Sequence, residues 1–229
     1  MSDRQSIPSI LLAGLLVLLP SAYAAAVAPA DGSKQRFDIY QDSKKIGQLE
    51  FDFSSAGSDL VVVRRQSISV SKLLIKATLD ESSTERWSGD RLVHLEAQAQ
   101  LKSTIKDDSA TLELSLGADG QLTGKTGKGP LSVPAGTSLF TLWRAASLHD
   151  GSYFNYVDGK LVQVTLGKEP ARDQAPEHTP ADCTGMDATV ADAEGHTSHA
   201  LVWHKGDGSI CSVRIKGPGG EFDYLLAAG

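Results

Sequence analysis

Three histidines near the C-terminal end of the chain have side chains that could bind zinc or copper, since imidazole is a common ligand for both metals. They are His196, His199 and His204. On a β-strand, His199 and His204 have opposite parity and would point to opposite faces unless the strand bends. These three residues are therefore weak metal candidates, and exposed polar side chains are the favoured interpretation. We expect no metal and no other cofactor.

A second candidate for chemistry is the pair His149-Asp150, which has several serines nearby and so offers the residue types of a Ser-His-Asp triad. The chain has no GxSxG motif, and an aspartate directly after a histidine is not placed to orient the imidazole. The pattern argues against acyl transfer.

Glu85 and Asp90 lie on either side of Trp87, and paired carboxylates carry out glycoside hydrolysis. The simpler interpretation is a hairpin turn at residues 88–90, across which Arg91 pairs with Glu85. We predict no catalytic residues, although a hydrolase with a dispersed site remains an alternative.

Aromatic side chains could instead form a site for an apolar ligand. The candidates lie on separate segments of the chain and are Trp87, Phe140, Trp143 and Trp203. Tryptophan in a domain of this size is usually core, so packing is the alternative to a pocket.

The elements that must position these residues are mostly strands. Residues 36–53 alternate apolar and polar side chains on both sides of a polar turn, which predicts a β-hairpin with one apolar face. Residues 93–102 keep the same period of two, with Val93, Leu95 and Ala97 among the residues predicted to face inwards. About ten strands follow from this pattern, most of them joined by short hairpins.

One segment departs from the strand pattern. Residues 137–149 place apolar side chains at helical spacing, with Thr137 or Ser138 as the N-cap, and this predicts a helix lying against the sheet. The expected fold is mainly β: an antiparallel, strongly curved sheet, as a half-barrel or open barrel, with one helix.

The first 24 residues are typical of a signal peptide, with an apolar run that is short for a membrane span and an Ala-x-Ala pattern at Ala22 and Ala24. We predict a flexible leader over residues 25–35 and a single β-rich domain over residues 36–229. The mature protein should be periplasmic or secreted and have no stable membrane span.

Charge and cysteine content agree with this location. The formal net charge of −6 argues against nucleic acid as a partner. Cys183 and Cys211 are the two cysteines of an exported chain and predict a disulfide, which would stabilise the fold by about 3 to 4 kcal/mol.

Several short motifs also carry a resemblance. The chain contains F-x-I-Y at residues 37–40 followed by K-I-G at residues 45–47, then E-x-W-x-G-D-R-L at residues 85–92, and W-H at residues 203–204. In these motifs it resembles a family of uncharacterised bacterial exported proteins. More distantly, the expected architecture is similar to the curved sheets of periplasmic lipid carriers, a likeness of fold that implies no site residues.

These observations predict an exported, non-enzymatic β-domain that binds a hydrophobic or amphipathic ligand in a concave sheet closed by the helix, with Trp143 in contact with the ligand. The partner would be a lipid-like small molecule. The alternative is an accessory protein that docks on an envelope protein through a sheet edge or outer face.

Overall fold

The computed structural model describes residues 29–72, 75–156, 158–217 and 220–227. The predicted signal peptide and the first part of the predicted leader lie outside these residues. Among the described residues, none of the helices has the length and hydropathy needed to span a membrane.

Fifteen strands make up the described chain. Their bounds are β1 (Lys34–Gln41), β2 (Lys44–Ala56), β3 (Asp59–Lys72), β4 (Ile75–Ser88), β5 (Arg91–Ser103), β6 (Asp108–Leu116), β7 (Leu122–Thr126), β8 (Gly129–Val133), β9 (Ser138–Leu139), β10 (Gly151–Phe154), β11 (Leu161–Leu166), β12 (Thr184–Asp192), β13 (Thr197–His204), β14 (Ile210–Gly217) and β15 (Gly220–Leu226). Two single-turn 3₁₀ helices, Ala145–Ser147 and Arg172–Gln174, are the helical elements of the described residues.

All fifteen strands belong to one sheet that follows the chain as a meander from β8 back to β1 and from β15 back to β9. The first strand pairs with the last, so β1 and β15 lie in the middle of the sheet. Every pairing is antiparallel except that of β9 with β10. The predicted mainly β, antiparallel class is confirmed.

Local turn chemistry explains why neighbours in sequence pair. The β1–β2 connection is the two-residue turn Asp42-Ser43, and both residues have positive φ, 49° and 61°. This backbone matches the right-handed twist of the flanking strands. The hairpin predicted for residues 36–53 is therefore present.

The sheet curls around one core without closing, since β8 and β9 are its two edges. The two ends of the sheet nevertheless lie close together. Gly159, between β10 and β11, packs so closely against Leu131 of β8 that a Cβ added to the glycine would lie 2.2 Å from Leu131 Cδ2. Buried side chains from β1 and β2, such as Phe37 and Phe51, fill the concave face between these ends. The result is a barrel-like shell packed with apolar side chains.

In β5 the predicted alternation holds from Leu95 to Gln100, because Leu95 and Ala97 are buried while Glu96 and Gln98 are exposed. It ends at Leu101, which was also predicted to face inwards but is exposed. Nearer the start of the strand, a register shift between Arg86 and Trp87 on β4 changes the pattern. As a consequence Leu92, rather than Val93, joins the core.

The helix predicted for residues 137–149 is wrong. The segment contains the short strand β9, one 3₁₀ turn at Ala145–Ser147 and otherwise irregular backbone. Its apolar spacing reflects burial on several sides, since Leu142, Trp143 and Leu148 all enter the core. Its backbone finds partners outside the segment: the Ala145 N–H donates to the Gly208 carbonyl at 3.0 Å. Where tertiary partners satisfy the backbone, a helix is not required.

Cys183 and Cys211 form a disulfide that joins the end of the 167–183 loop to β14. Trp203 and Leu201 pack beside it in a second buried cluster, separate from the main core. The disulfide therefore fastens the polar loop over the sheet surface that carries Trp203.

Candidate ligand site

An open pocket of about 640 Å³ lies where the β4–β5 and β6–β7 turns face the connection between β8 and β10. We call it the mouth pocket. Trp87, Leu92, Leu122 and Leu139 form an apolar wall. The polar side chains that line it include Arg91, Ser138, Arg144 and His149. An apolar wall with a few convergent polar groups is the usual composition of a small-molecule site.

Arg144 is the best-fixed cation of this pocket. Its guanidinium carbon lies 4.8 Å from the ring centroid of Trp87 and 4.6 Å from that of Trp143, so the charge sits between two aromatic faces. Arg144 Nη1 donates to Asp90 Oδ1 at 2.8 Å. The Arg144 side chain is 13 % exposed, whereas that of Asp90 is 92 % exposed. The cation is held in place and its anionic partner is in water.

Behind the two tryptophans lies the buried carboxylate of Glu85. Its Oε2 accepts hydrogen bonds from Trp87 Nε1 at 2.9 Å and from Trp143 Nε1 at 3.3 Å. The rings of the two tryptophans meet edge to face, 6.0 Å apart. Burial raises the pKa of Glu85, because desolvation outweighs these hydrogen bonds and the charges of Arg64 and Arg144.

Replacement of Glu85 by Gln tests this carboxylate. A raised folded-state pKa means that ionised Glu85 destabilises the fold as the pH rises above the ordinary value of 4.5, whereas a glutamine stays neutral. As the pH rises from 4.5 to 8, the unaltered protein should therefore lose free energy of unfolding relative to Glu85→Gln. Urea unfolding at several pH values measures it, and parallel pH curves would show that Glu85 titrates alike in the folded and unfolded chains.

Ser138 and His149 face each other on the rim of the mouth pocket. Ser138 Oγ lies 3.0 Å from His149 Nε2, and His149 Nδ1 lies 2.8 Å from the backbone carbonyl of Asp150. The Asp150 carboxylate is turned away and accepts the Leu166 N–H at 2.6 Å. These residues therefore do not form a Ser-His-Asp triad. They form a Ser–His pair in which a backbone carbonyl orients the histidine.

Residues 37–227 match the model of a domain of unknown function, DUF6134. The chain is a member of the DUF6134 family. No curated protein matches it. Among solved structures it is similar to the crystal structure of a beta-barrel-like protein of a domain of unknown function, DUF1849, from Brucella abortus. The TM-score is 0.57 and the identity 12 %, over 85 % of this chain and 94 % of that one. The likeness shows the barrel-like fold, and the predicted membership of an uncharacterised family is confirmed.

Of the four aromatic side chains predicted as a ligand site, the structure of this DUF6134 chain brings Trp87 and Trp143 into contact and places Phe140 and Trp203 elsewhere. Trp87 lines the mouth pocket, while Trp143 packs directly beneath Arg144. Phe140 is half-buried and contacts Tyr153, with 6.2 Å between ring centroids. Trp203 lies in the cluster around the disulfide. Arg144, which joins Trp87 to Trp143, was missed by sequence reasoning because it lies inside the segment predicted as a helix.

The three histidines considered as metal ligands are spread over the β12–β13 hairpin. His196 bonds Asp192 at 3.0 Å near the turn, His199 lies 3.3 Å from Thr189 on the facing strand, and His204 bonds the Lys205 carbonyl at the far end of β13. His199 and His204 are five residues apart, which is about 16 Å along a strand. Each of these imidazoles has a different polar neighbour, and the structure does not bring the three together.

The same DUF6134 fold buries a polar cluster that the sequence analysis did not single out. Glu81 Oε2 accepts hydrogen bonds from Arg64 Nη2 at 3.2 Å, from Gln66 Nε2 at 2.8 Å and from the hydroxyl of Tyr156. Arg64 also lies 4.2 Å from the centroid of the Tyr156 ring. Burial raises the pKa of Tyr224, which also faces the cluster, to about 12. The cluster ties β3 and β4 to the chain after β10 across the inside of the barrel.

A second groove, of about 590 Å³, crosses the outer face of β2 to β6. Exposed polar side chains such as Arg65, Asp80 and Gln98 line it. These residues alternate with core residues on ordinary strands, so the groove follows the curvature of a solvated sheet face. The mouth pocket, with its apolar wall and fixed cation, is the better candidate for ligand binding.

Proposed function

We propose that this protein is exported and binds an amphipathic ligand with an anionic head group in the mouth pocket. The observation that carries the proposal is the placement of Arg144 between Trp87 and Trp143 at the edge of an apolar wall. The ligand thus lies at the end of the barrel, not beneath a helix, because core side chains occupy the concave face.

The apolar wall suits a hydrocarbon chain. Leu92, Leu122 and Leu139 are 8 %, 6 % and 2 % exposed, so core packing fixes them and each presents only a small part of its side chain to the pocket. A pocket of about 640 Å³ has the size of typical small-molecule sites. Burial of apolar ligand surface contributes about 25 cal/mol per Å², which favours a chain of several carbons over a small polar solute.

The head group is assigned from charge. Arg144 and the exposed Arg91 both line the pocket, and Arg144 is already ordered by its two aromatic neighbours. A preorganised cation loses less entropy on binding than a free one. The Asp90 carboxylate accepts a hydrogen bond from Arg144 Nη1 on the solvent side. It lies in the position that a carboxylate or phosphate of the ligand would take.

Export is supported by the disulfide, since such bonds persist in oxidising compartments. The envelope-partner alternative would use the unpaired edges of the sheet at β8 and β9. Intact mass measurement of protein purified without detergent distinguishes the two, since a co-purifying lipid-like mass supports the carrier and a co-purifying stoichiometric protein supports docking.

Charge substitutions at the pocket should change the affinity for dodecanoate in opposite directions. Arg91→Gln should weaken binding by about tenfold or more, since a hydrogen bond to a charged group contributes about 1.5–3 kcal/mol. Asp90→Asn should strengthen binding, because it removes the competing carboxylate from Arg144. Isothermal titration below the micelle concentration measures both.

Arg86→Gln is the matched control, since Arg86 pairs with Asp59 and does not line the pocket. It should leave the dodecanoate affinity unchanged. Equal weakening by Arg86→Gln and Arg91→Gln would show that only the general charge of the protein matters, and the proposed site would then be wrong. Dodecanol should bind more weakly than dodecanoate if Arg91 and Arg144 select the head group.

A further inference from the structure

We propose that Ser138 and His149 are a nucleophile and its general base, which cleave an acyl ester whose chain lies in the mouth pocket. The inference rests on the ligand site proposed above and adds an activity to it. The substrate class is a carboxylic ester with an apolar acyl chain.

The hydrogen bonds define the roles of the two imidazole nitrogens. His149 Nδ1 faces the Asp150 carbonyl at 2.8 Å, and a carbonyl only accepts, so this nitrogen carries the proton of the neutral ring. His149 Nε2 is then the free acceptor, and it faces Ser138 Oγ at 3.0 Å. This is the geometry in which a histidine can take the proton of a serine hydroxyl.

Tyr153 and Gly151 fix the segment that carries His149. The Tyr153 hydroxyl accepts the backbone N–H of His149 at 2.8 Å and lies within hydrogen-bond distance of the backbone carbonyls of Ser147 and His149. The Tyr153 ring lies 5.2 Å from the imidazole and is fully buried. Gly151 has a φ of +147°, and a Cβ there would lie 3.4 Å from His149 Nδ1. The loop is therefore built around this histidine, as a general base requires.

The surroundings of the pair suit acyl transfer. Ser138 and Leu139 of the apolar wall both line the mouth pocket, so an acyl chain on that wall would have its carbonyl in the pocket that Ser138 lines. Arg91 and Arg144 line the same pocket and supply positive charge for the oxyanion that develops in the transition state. The pocket thus holds the chain, the nucleophile, the base and cationic groups together.

The reaction proceeds in two steps, formation and hydrolysis of an acyl-serine. Ser138 Oγ bonds to the acyl carbon while its proton moves to His149 Nε2. The ester C–O bond breaks, and the leaving alcohol takes that proton. A water molecule then gives a proton to His149 Nε2 and attacks the acyl-serine, which releases the carboxylic acid and returns the proton to Ser138. The sum is ester plus water to acid plus alcohol.

A fluorophosphonate probe tests the pair without knowledge of the natural ester. The native protein should gain one phosphonyl adduct, with loss of fluoride, and peptide mass spectrometry should place it on Ser138. Ser138→Ala should remove the adduct, and His149→Gln should slow labelling by about 100-fold or more. Ser152→Ala is the matched control, since Ser152 lies on β10 and bonds Gln163 outside the pocket; it should label like the native protein.

Dodecanoate titration of the same proteins separates this inference from the ligand site. If native protein binds dodecanoate but Ser138 gains no adduct, the catalytic pair is overturned and the ligand site stands. An adduct on Ser138 without dodecanoate binding supports the pair and overturns the ligand site. Equal labelling of His149→Gln and native protein, with circular dichroism unchanged, would overturn the role of His149 as the base.

Discussion

Arg64→Met is expected to lower the free energy of unfolding by about 3–5 kcal/mol, the usual cost of breaking a buried ion pair from one side. The side chains of Arg64 and Glu81 are each 8 % exposed. Without Arg64, the Glu81 carboxylate would stay buried with hydrogen bonds from Gln66 and Tyr156 but with no countercharge. Urea unfolding followed by circular dichroism measures the loss.

Arg65→Met is the matched control, because Arg65 is the next residue on the same strand. Its side chain is 56 % exposed and pairs with Asp52 on the outer face. Exposed pairs contribute about 0–1 kcal/mol, so this variant should stay close to the native stability. Equal losses for Arg64→Met and Arg65→Met would contradict the assigned role of the cluster.

The cluster shows how far alternation along a strand can predict this fold. Period two places Arg64 and Gln66 on the same face of β3 as the buried Val62, so the sequence contains the signal that they point inwards. The partner that binds Glu81 from the opposite wall, Tyr156, is 75 residues further along the chain. Strand periodicity shows which face of the sheet a side chain lies on, but not which distant residue it contacts. The cluster itself could therefore not be predicted from the sequence.

The segment that forms the candidate site was the least predictable. Leu139, Trp143 and Leu148 have helical spacing, yet the segment is irregular, because neighbouring loops satisfy its backbone and the barrel buries it from several sides. Spacing distinguishes helix from strand only where one face is buried. Arg144 and the Ser138–His149 pair belong to this segment, so their positions could not be predicted from the sequence either.

The tryptophans show the same limit at the level of the sheet. Trp203 alternates with Val202 on β13, and Val202 belongs to the main core. Trp203 is buried only because the loop fastened by the disulfide covers the opposite face. The sequence predicted the disulfide. It did not predict the burial of Trp203, because this depends on which strand carries Cys211 and on where the loop crosses the sheet.

Trp143→Ala should lower the free energy of unfolding by about 3–5 kcal/mol, the usual range for truncation of a large buried aromatic side chain. Trp143 is 4 % exposed and contacts Phe53 and Trp87 edge to face. Its removal opens a cavity, takes one indole N–H from buried Glu85 and exposes one side of Arg144. Guanidinium unfolding with the disulfide intact measures the change.

Trp143→Phe separates packing from ligand contact at this position. Phenylalanine keeps an aromatic face beneath Arg144 but cannot donate to Glu85, so the loss of stability should be smaller than for alanine. Because Trp143 lies behind Arg144 and does not line the mouth pocket, dodecanoate affinity should be unchanged in the folded Trp143→Phe protein. A clear loss of affinity at native-like stability would instead place Trp143 in direct contact with the ligand, as its sequence context predicted. The affinity of this variant therefore tests whether the Trp143 indole contacts the ligand directly.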